Sequence, residues 1–526
     1  MKRILSYIIA AGILSACSLD FDNPNQYADK TFWYSAGNAR SGLTGCYLPL
    51  RNGSMFGGQA LALEDCATPN AYNYANSSNW NDLARGTASS DGTIFYGRWK
   101  DCYTGIGRCN TLLKYIDVNQ ELSAEDILQM KAQARFLRAL YYTVLITYYY
   151  EVPLITNEPS ISQLDSGRTS RAEILSFLFS ELDDVAGILP RSYPSKADAG
   201  RATAGAALTL AARLHLFEAS PLCNPDSDPA MWAMAAEAAK RVMDLGIYSL
   251  YPDYAGLFTE AAEYSGECIF DVEFVGSPTG LGHNFDIVMR QYNSAVPVKN
   301  FVDSYRMKDG KPRLESAYQN AEGYADMDPR FAQTIVYPGS TWMGETVRTD
   351  NTNTRFTNRQ SGFIFKKYTV YTEAIPSTEE LNIKENCSAV NLMLMRYADV
   401  LLMYAESLNE QGLLTEDIWN KTVQAIRKRA GFTSPEALTY PGQDIAVLRD
   451  IIHYERRVEF ACEGLYYNDL RRWREAESAM DNLDILMHDG TVIGRRTFDA
   501  SRDYWWPVPA SELELAPSLR PNNPGW

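Results

Sequence analysis

Residues 123–150 read SAEDILQMKAQARFLRALYYTVLITYYY, and the reading of this stretch decides the fold class. It opens on Ser123 and Asp126, a pair able to cap a helix start by exchanging side-chain and backbone hydrogen bonds. Ile127, Met130, Ala134, Leu137, Tyr141 and Leu145 then recur every three or four residues, which is the spacing of one helical face. The helix should end ahead of Val152-Pro153, since proline cannot continue the hydrogen-bond ladder. The same period runs over Arg171 to Leu189, Thr203 to Ala219 and Ala230 to Leu245. It returns over Arg396 to Glu410, Thr415 to Ala430 and Ile445 to Cys462. The expected fold is therefore mostly α: helix pairs stacked into a degenerate, tetratricopeptide-like scaffold, without a clean 34-residue repeat.

From about 261 to 390 the helical period disappears while Gly, Pro, Asn and Thr become frequent. Loops or short strands are expected there, including residues 339–345 and 348–359. A long irregular stretch inside a helical protein is usually functional or disordered. Its aromatics Phe285, Tyr292, Trp342, Phe356 and Phe363 argue against disorder. The mature chain is read as one domain over 35–526. Its helical scaffold spans about 35–260 and 391–480, the loop-rich insertion 261–390, and an irregular C-terminal segment 481–526.

The chain begins with Met1-Lys2-Arg3, a short apolar run from Ile4 to Ile13, and Leu14-Ser15-Ala16-Cys17. Basic, apolar and small residues in that order make a secretory signal rather than a helix of the mature fold. A cysteine directly after Leu-Ser-Ala resembles a bacterial lipoprotein signal. That resemblance implies removal of residues 1–16, acylation of Cys17, and a tether over 17–34. Each buried CH₂ of such an anchor contributes roughly 0.8 kcal/mol. Losing Lys2 and Arg3 takes the net charge from −16 to −18. Asp20 and Asp22 resemble the acidic export tag that places such lipoproteins on the outer face in Bacteroidetes-type bacteria.

A net charge of −16 argues against nucleic-acid binding, which needs clustered Lys and Arg. No run of about 20 apolar residues spans a bilayer. The nine cysteines lack zinc-type C-x-x-C pairs, so metal is not expected; apart from Cys17, free thiols and disulfides both remain open. His215, His283, His453 and His488 have no ligand-type spacing, and neither a nucleophile elbow nor a phosphate loop is present. No catalytic residue and no cofactor is expected. A glycosidase needs only two carboxylates at a suitable separation, so that enzyme reading stays open among 65 acids.

Several segments resemble the SusD/RagB family. They are residues 99–110 (WKDCYTGIGRCN), 134–142 (ARFLRALYY) with Val152-Pro153-Leu154, and 200–216, which opens on Gly200-Arg201-Ala-Thr203. The strongest are 395–410 (MRYADVLLMYAESLNE) and 454–464 (YERRVEFACEG), followed by Asp469, Arg471, Arg472 and Trp473. The ends Trp506-Pro507-Val-Pro509 and Asn523-Pro524-Gly525-Trp526 also fit. Read physically, the acids and bases of 396–406 and 455–472 are interleaved with apolar residues, as in ion pairs that lock helices together. The resemblance implies a SusD-like fold and a lipid-anchored outer-membrane protein facing the exterior. Such a protein captures glycan for polysaccharide utilisation and sits over a SusC-like TonB-dependent transporter. Uptake of peptides or glycopeptides is the alternative.

A sugar presents an apolar C–H face and a rim of hydroxyls, so its partner surface is a flat ring beside amides, carboxylates and guanidinium groups. Residues 65–85 (DCATPNAYNYANSSNWNDLAR) have that composition. Asp65, Tyr72, Tyr74, Asn79, Trp80, Asn81 and Arg85 are the ligand candidates, with core packing as the rival role for Trp80. Tyr292, Trp342 and Arg348 form the second set, with loop anchoring as the rival for Trp342.

Overall fold

The fold was analysed in a computed structural model that describes residues 29–276, 279–287, 295–349, 361–373 and 386–526. It is built on long helices: α1 (Ala36–Tyr47), α2 (Thr93–Tyr115), α3 (Ala124–Tyr149) and α4 (Arg171–Ile188). They are followed by α5 (Ala204–Ala219), α6 (Pro229–Met243), α7 (Tyr397–Glu410) and α8 (Ile445–Glu459). The mostly α expectation holds, and the boundaries fall close to those read from periodicity.

At the start of α3 the Ser123 hydroxyl accepts from the Asp126 N–H at 3.0 Å, while the Asp126 carboxylate accepts from the Ser123 N–H at 3.3 Å. The box in the sequence is thus a real cap. From Leu140 to Tyr149 nearly every residue of α3 is buried, because α1, α2, α4 and α5 surround it. A helix covered on all sides must be apolar on all sides. α2 approaches α3 closely at Gly105, where a Cβ would lie 2.2 Å from the Tyr141 ring. The Tyr141 hydroxyl donates to the Cys46 carbonyl on α1 at 2.7 Å, so one buried ring joins three helices.

Packing then proceeds in sequence from α3 to α4, α5 and α6, and on to α7 and α8. One expected helix is divided: residues 415–430 form Glu416–Lys421 and Val423–Ala430, separated at Thr422 (φ −118°, ψ −91°). The buried Thr422 hydroxyl bonds back to the Ile418 carbonyl at 2.7 Å, a local alternative to the helical ladder.

The irregular stretch contributes short strands. Across the described chain these are β1 (Ala71–Asn73), β2 (Cys268–Val272), β3 (Ala295–Pro297), β4 (Ile335–Val336) and β5 (Thr341–Trp342). Then come β6 (Glu345–Thr346), β7 (Ile364–Phe365), β8 (Leu392–Arg396), β9 (Leu483–Leu486) and β10 (Val492–Arg496). β2 and β8 pair antiparallel, and β8 runs directly into α7. The insertion is thereby stitched to the scaffold at its base.

Two buried charge networks lock the C-terminal helices. Arg396 reaches Glu267 and Glu459 at 2.8 Å and Glu463 at 2.7 Å. Arg456 binds Asp399 and Asp469 at 2.9 Å, and Arg472 binds Asp469 at 2.8 Å and Glu406 at 2.7 Å. Burial alone would raise the Asp399 carboxyl, but Arg213 and Arg456 overcome it and hold it at about 2. Glu406 is likewise held at about 2 against burial, chiefly by Arg472. Charges buried this deeply persist because each is paired. The eight described cysteines are free thiols.

Candidate functional site

Pairing of β1 with β3, Tyr72 opposite Val296, carries the Asn-rich segment to the mouth of the insertion. The β9–β10 hairpin closes the other side, with Ile485 packed against Tyr72 and Val298. Asn300 fixes it, accepting from the Leu486 N–H and donating to the Asp484 carbonyl, both at 2.9 Å.

On this frame the expected ligand residues separate into two groups. Trp80 is only 2% exposed. Its ring lies edge-on to Trp506 at 6.1 Å and to Tyr467 at 6.5 Å, with the Arg98 guanidinium at 5.8 Å. No face is open for a sugar, so the core role replaces the stacking role. Trp342 is corrected in the same way: it is 2% exposed, with Lys366 Nζ 5.6 Å from its ring. Asp65 is fully buried, and one carboxylate oxygen accepts the Cys462 N–H at 2.5 Å. Burial pushes its carboxyl up to about 7, against the Cys462 N–H and Lys367.

The asparagines that suggested sugar-binding amides build the loop instead. Asn79 accepts from the Thr93 N–H at 3.1 Å and hydroxyl at 2.7 Å at the start of α2, and donates to Asp82 at 2.8 Å. Asn81 is buried; its side chain donates to the Asn73 carbonyl, and its N–H donates to Asn76 at 3.0 Å. Asn76, Ser78 and Asn79 all take positive φ. Asparagine suits such turns because its side chain imitates backbone hydrogen bonding and tolerates the left-handed region. Amide-rich composition therefore has two physical causes, and turn construction accounts for most of it here.

Tyr72 is buried, its hydroxyl accepting from Arg85 at 2.7 Å and its ring lying 5.6 Å from the Arg496 guanidinium. Gly494 leaves the room this ring needs: a Cβ there would come within 2.8 Å of it. Tyr74 is half-buried and meets Tyr72 edge-on at 4.8 Å. Burial, then Tyr72, pushes its phenol well above the usual value, and its hydroxyl is buried without a hydrogen-bond partner. Arg85 and Arg348 are exposed, and Asn79 is half-exposed. Tyr292 and Cys17 lie outside the described residues.

Sequence reasoning passed over the exposed rings found among the described residues: Tyr34, Tyr96, Tyr150 and Tyr264. A signal existed for Tyr96. Ile94, Phe95, Trp99, Cys102, Ile106 and Cys109 form the buried face of α2, and Tyr96 falls off that register.

A family model described as the SusD family matches residues 267–526. A second, described as starch-binding associating with outer membrane, matches residues 52–216. The chain belongs to the SusD-like family. A SusD-like protein of Formosa agariphila is 25% identical over 99% of this chain and 98% of its own length. A SusD-like carbohydrate-binding protein of Bacteroides fragilis is 27% identical, with a TM-score of 0.81, covering 93% of this chain and 100% of that one. Surface glycan-binding protein A of Bacteroides thetaiotaomicron shares the fold, at 20% identity and TM-score 0.68, over 94% of this chain and all of its own. In this SusD-like protein the two model matches take in most of the long helices and both charge networks. The best-matching motifs, 395–410 and 454–464, are buried scaffold. No described helix is long and apolar enough to cross a membrane.

Proposed function

We propose that this chain is a cell-surface lipoprotein that binds oligo- or polysaccharide and passes it to a SusC-like TonB-dependent transporter. The observation that carries this reading is the end-to-end likeness to the Bacteroides fragilis carbohydrate-binding protein, at 27% identity and TM-score 0.81. The lipoprotein part rests on residues 1–17: removal of 1–16, acylation of Cys17, and attachment to the outer membrane with the body facing outward. The ligand face is assigned to the surface around β1, β3 and the β9–β10 hairpin. Tyr74, Asn79 and Arg85 are its contact residues, with Tyr292 and Arg348 of the loop-rich insertion as the second expected set of ligand residues. Asp65, Tyr72, Trp80, Asn81 and Trp342 are buried and act through packing rather than direct contact.

The role is capture rather than cleavage. Arginines engage the buried Asp399, Glu406 and Glu459 and hold these carboxyls at about 2, too low for general-acid work. Native electrophoresis through gels containing neutral polysaccharides should retard the protein, with no new reducing ends on incubation. Affinity purification from membranes should bring down a large TonB-dependent barrel, and Cys17→Ala should release the protein from the outer membrane. Free migration in every gel, or steady production of reducing ends, would defeat the proposal.

A further inference from the structure

The residue that ends α3 is conformationally out of place. Tyr150 has φ 72° and ψ −73°, and the Glu151 N–H donates to the Tyr149 carbonyl at 2.9 Å. These are the angles and hydrogen bond of the strained form of γ-turn. Glycine would adopt it freely, whereas a side chain with a Cβ is disfavoured there. The surrounding structure nevertheless holds the turn from several directions. Arg168 donates to the Glu151 carbonyl at 2.9 Å and to the Tyr149 carbonyl at 3.3 Å. Asn523 donates to the Tyr149 carbonyl at 3.0 Å, and Arg171 to the Tyr150 carbonyl at 3.3 Å. Strain persists where its surroundings over-determine it, and such positions cluster at functional sites.

This strained turn presents a ring to solvent. Tyr150 is 36% exposed and lies 4.9 Å from the half-buried Trp505, with 53° between the ring planes. Beneath the pair sits Arg171, its guanidinium carbon 5.5 Å from one centroid and 5.1 Å from the other. Glu218 pairs with that guanidinium, so the platform carries no net charge from below. Neither the Tyr150 hydroxyl nor the Trp505 indole N–H has a hydrogen-bond partner among the described residues.

We infer that Tyr150 and Trp505 form a second carbohydrate platform, which stacks the apolar face of a neutral pyranose. The indole N–H and the phenol then meet its hydroxyls, and the half-exposed Glu151 offers an acceptor at the margin. The platform belongs to the α3 terminus and the C-terminal segment, whereas the ligand face proposed above belongs to residues 65–85 and the insertion. Two weak sites on one body raise retention of a long chain by avidity.

The test compares wild type, Tyr150→Gly, Trp505→Ala and Arg85→Ala by native electrophoresis through amylopectin, β-glucan, mannan, galactan and xylan, with melting temperatures measured alongside. Tyr150→Gly should melt at or above wild type, because glycine relieves the turn. Its affinity in the gel that most retards wild type should fall about five- to tenfold, and Trp505→Ala should match it. A Tyr150→Gly variant that melts well below wild type assigns the ring a packing role and overturns the proposal. Undiminished retention of that variant, or no retention of wild type by any of these glycans, also overturns it. Undiminished retention with loss of a co-purifying barrel protein would make the pair a protein contact, and the platform would again be rejected. Arg85→Ala losing retention while Tyr150→Gly keeps it would leave the first face standing alone.

Discussion

The exposed Arg85 guanidinium donates to the buried Tyr72 hydroxyl at 2.7 Å, joining a solvent-facing charge to the packed underside of the β1–β3 surface. Of the residues first expected to bind ligand, Arg85 thus combines access to solvent with a fixed position. Arg85→Ala should weaken glycan retention about three- to tenfold. Its melting temperature should hardly move, since exposed substitutions usually stay within about 0.5 kcal/mol. Isothermal titration with the retarding glycan, paired with a thermal scan, checks both halves; unchanged affinity would remove Arg85 from the face.

Trp80→Ala should behave in the opposite manner. The ring fills space between Trp506, Tyr467 and Arg98, so truncation should cost about 3–5 kcal/mol of stability. Denaturant unfolding measures this directly. Stability within 1 kcal/mol of wild type would contradict the buried placement.

Arg396 holds three buried carboxylates, those of Glu267, Glu459 and Glu463. Removing one partner of a buried ion group strands the others, so Arg396→Met should destabilise by about 3–5 kcal/mol. A large loss of soluble protein and an earlier urea midpoint are the expected readouts. An Arg396→Met variant as stable as wild type would show that the network contributes little.

Stability should also depend on pH in two opposed directions. Burial pushes Asp65 up to about 7, and burial with Glu273 does the same to Asp271, whereas an unfolded Asp titrates near 3.8. Their contribution is complete below that unfolded value and is lost as pH rises through about 7. Asp399 and Glu406, held at about 2, contribute fully above roughly 4–5 and lose that contribution as pH falls toward 2. Melting temperature should therefore peak under mildly acidic conditions. Asp65→Asn keeps an acceptor for the Cys462 N–H without the charge, so it should melt a few degrees above wild type at pH 8 and flatten the slope between pH 5 and 8. Parallel pH profiles for the two proteins would rule out Asp65 as a source of that slope.

The helices were legible because their causes are local. The α3 cap lies within Ser123–Asp126, and the apolar stripe repeats within single turns, so a short window holds the whole argument. The division at Thr422 escaped because a hydroxyl bonding back by four residues leaves the apolar period unchanged. The charged motifs were legible as strings. Those motifs report family more clearly than ligand, since they are buried scaffold.

Apart from Tyr96, which falls off the apolar register of α2, the rings that reach solvent were decided by tertiary structure. Trp80 and Trp506 come from opposite ends of the chain, and no local pattern distinguishes a tryptophan that will meet such a partner from one that will not. The composition of residues 65–85 fits both a sugar-binding rim and a loop that satisfies its own backbone; only the positions of Thr93 and Asp82 around Asn79 separate the two. By itself the sequence determined the helical class and the family, because each is written in neighbouring residues. The exposed surface depends on distant residues meeting, and it emerged only once the chain was folded.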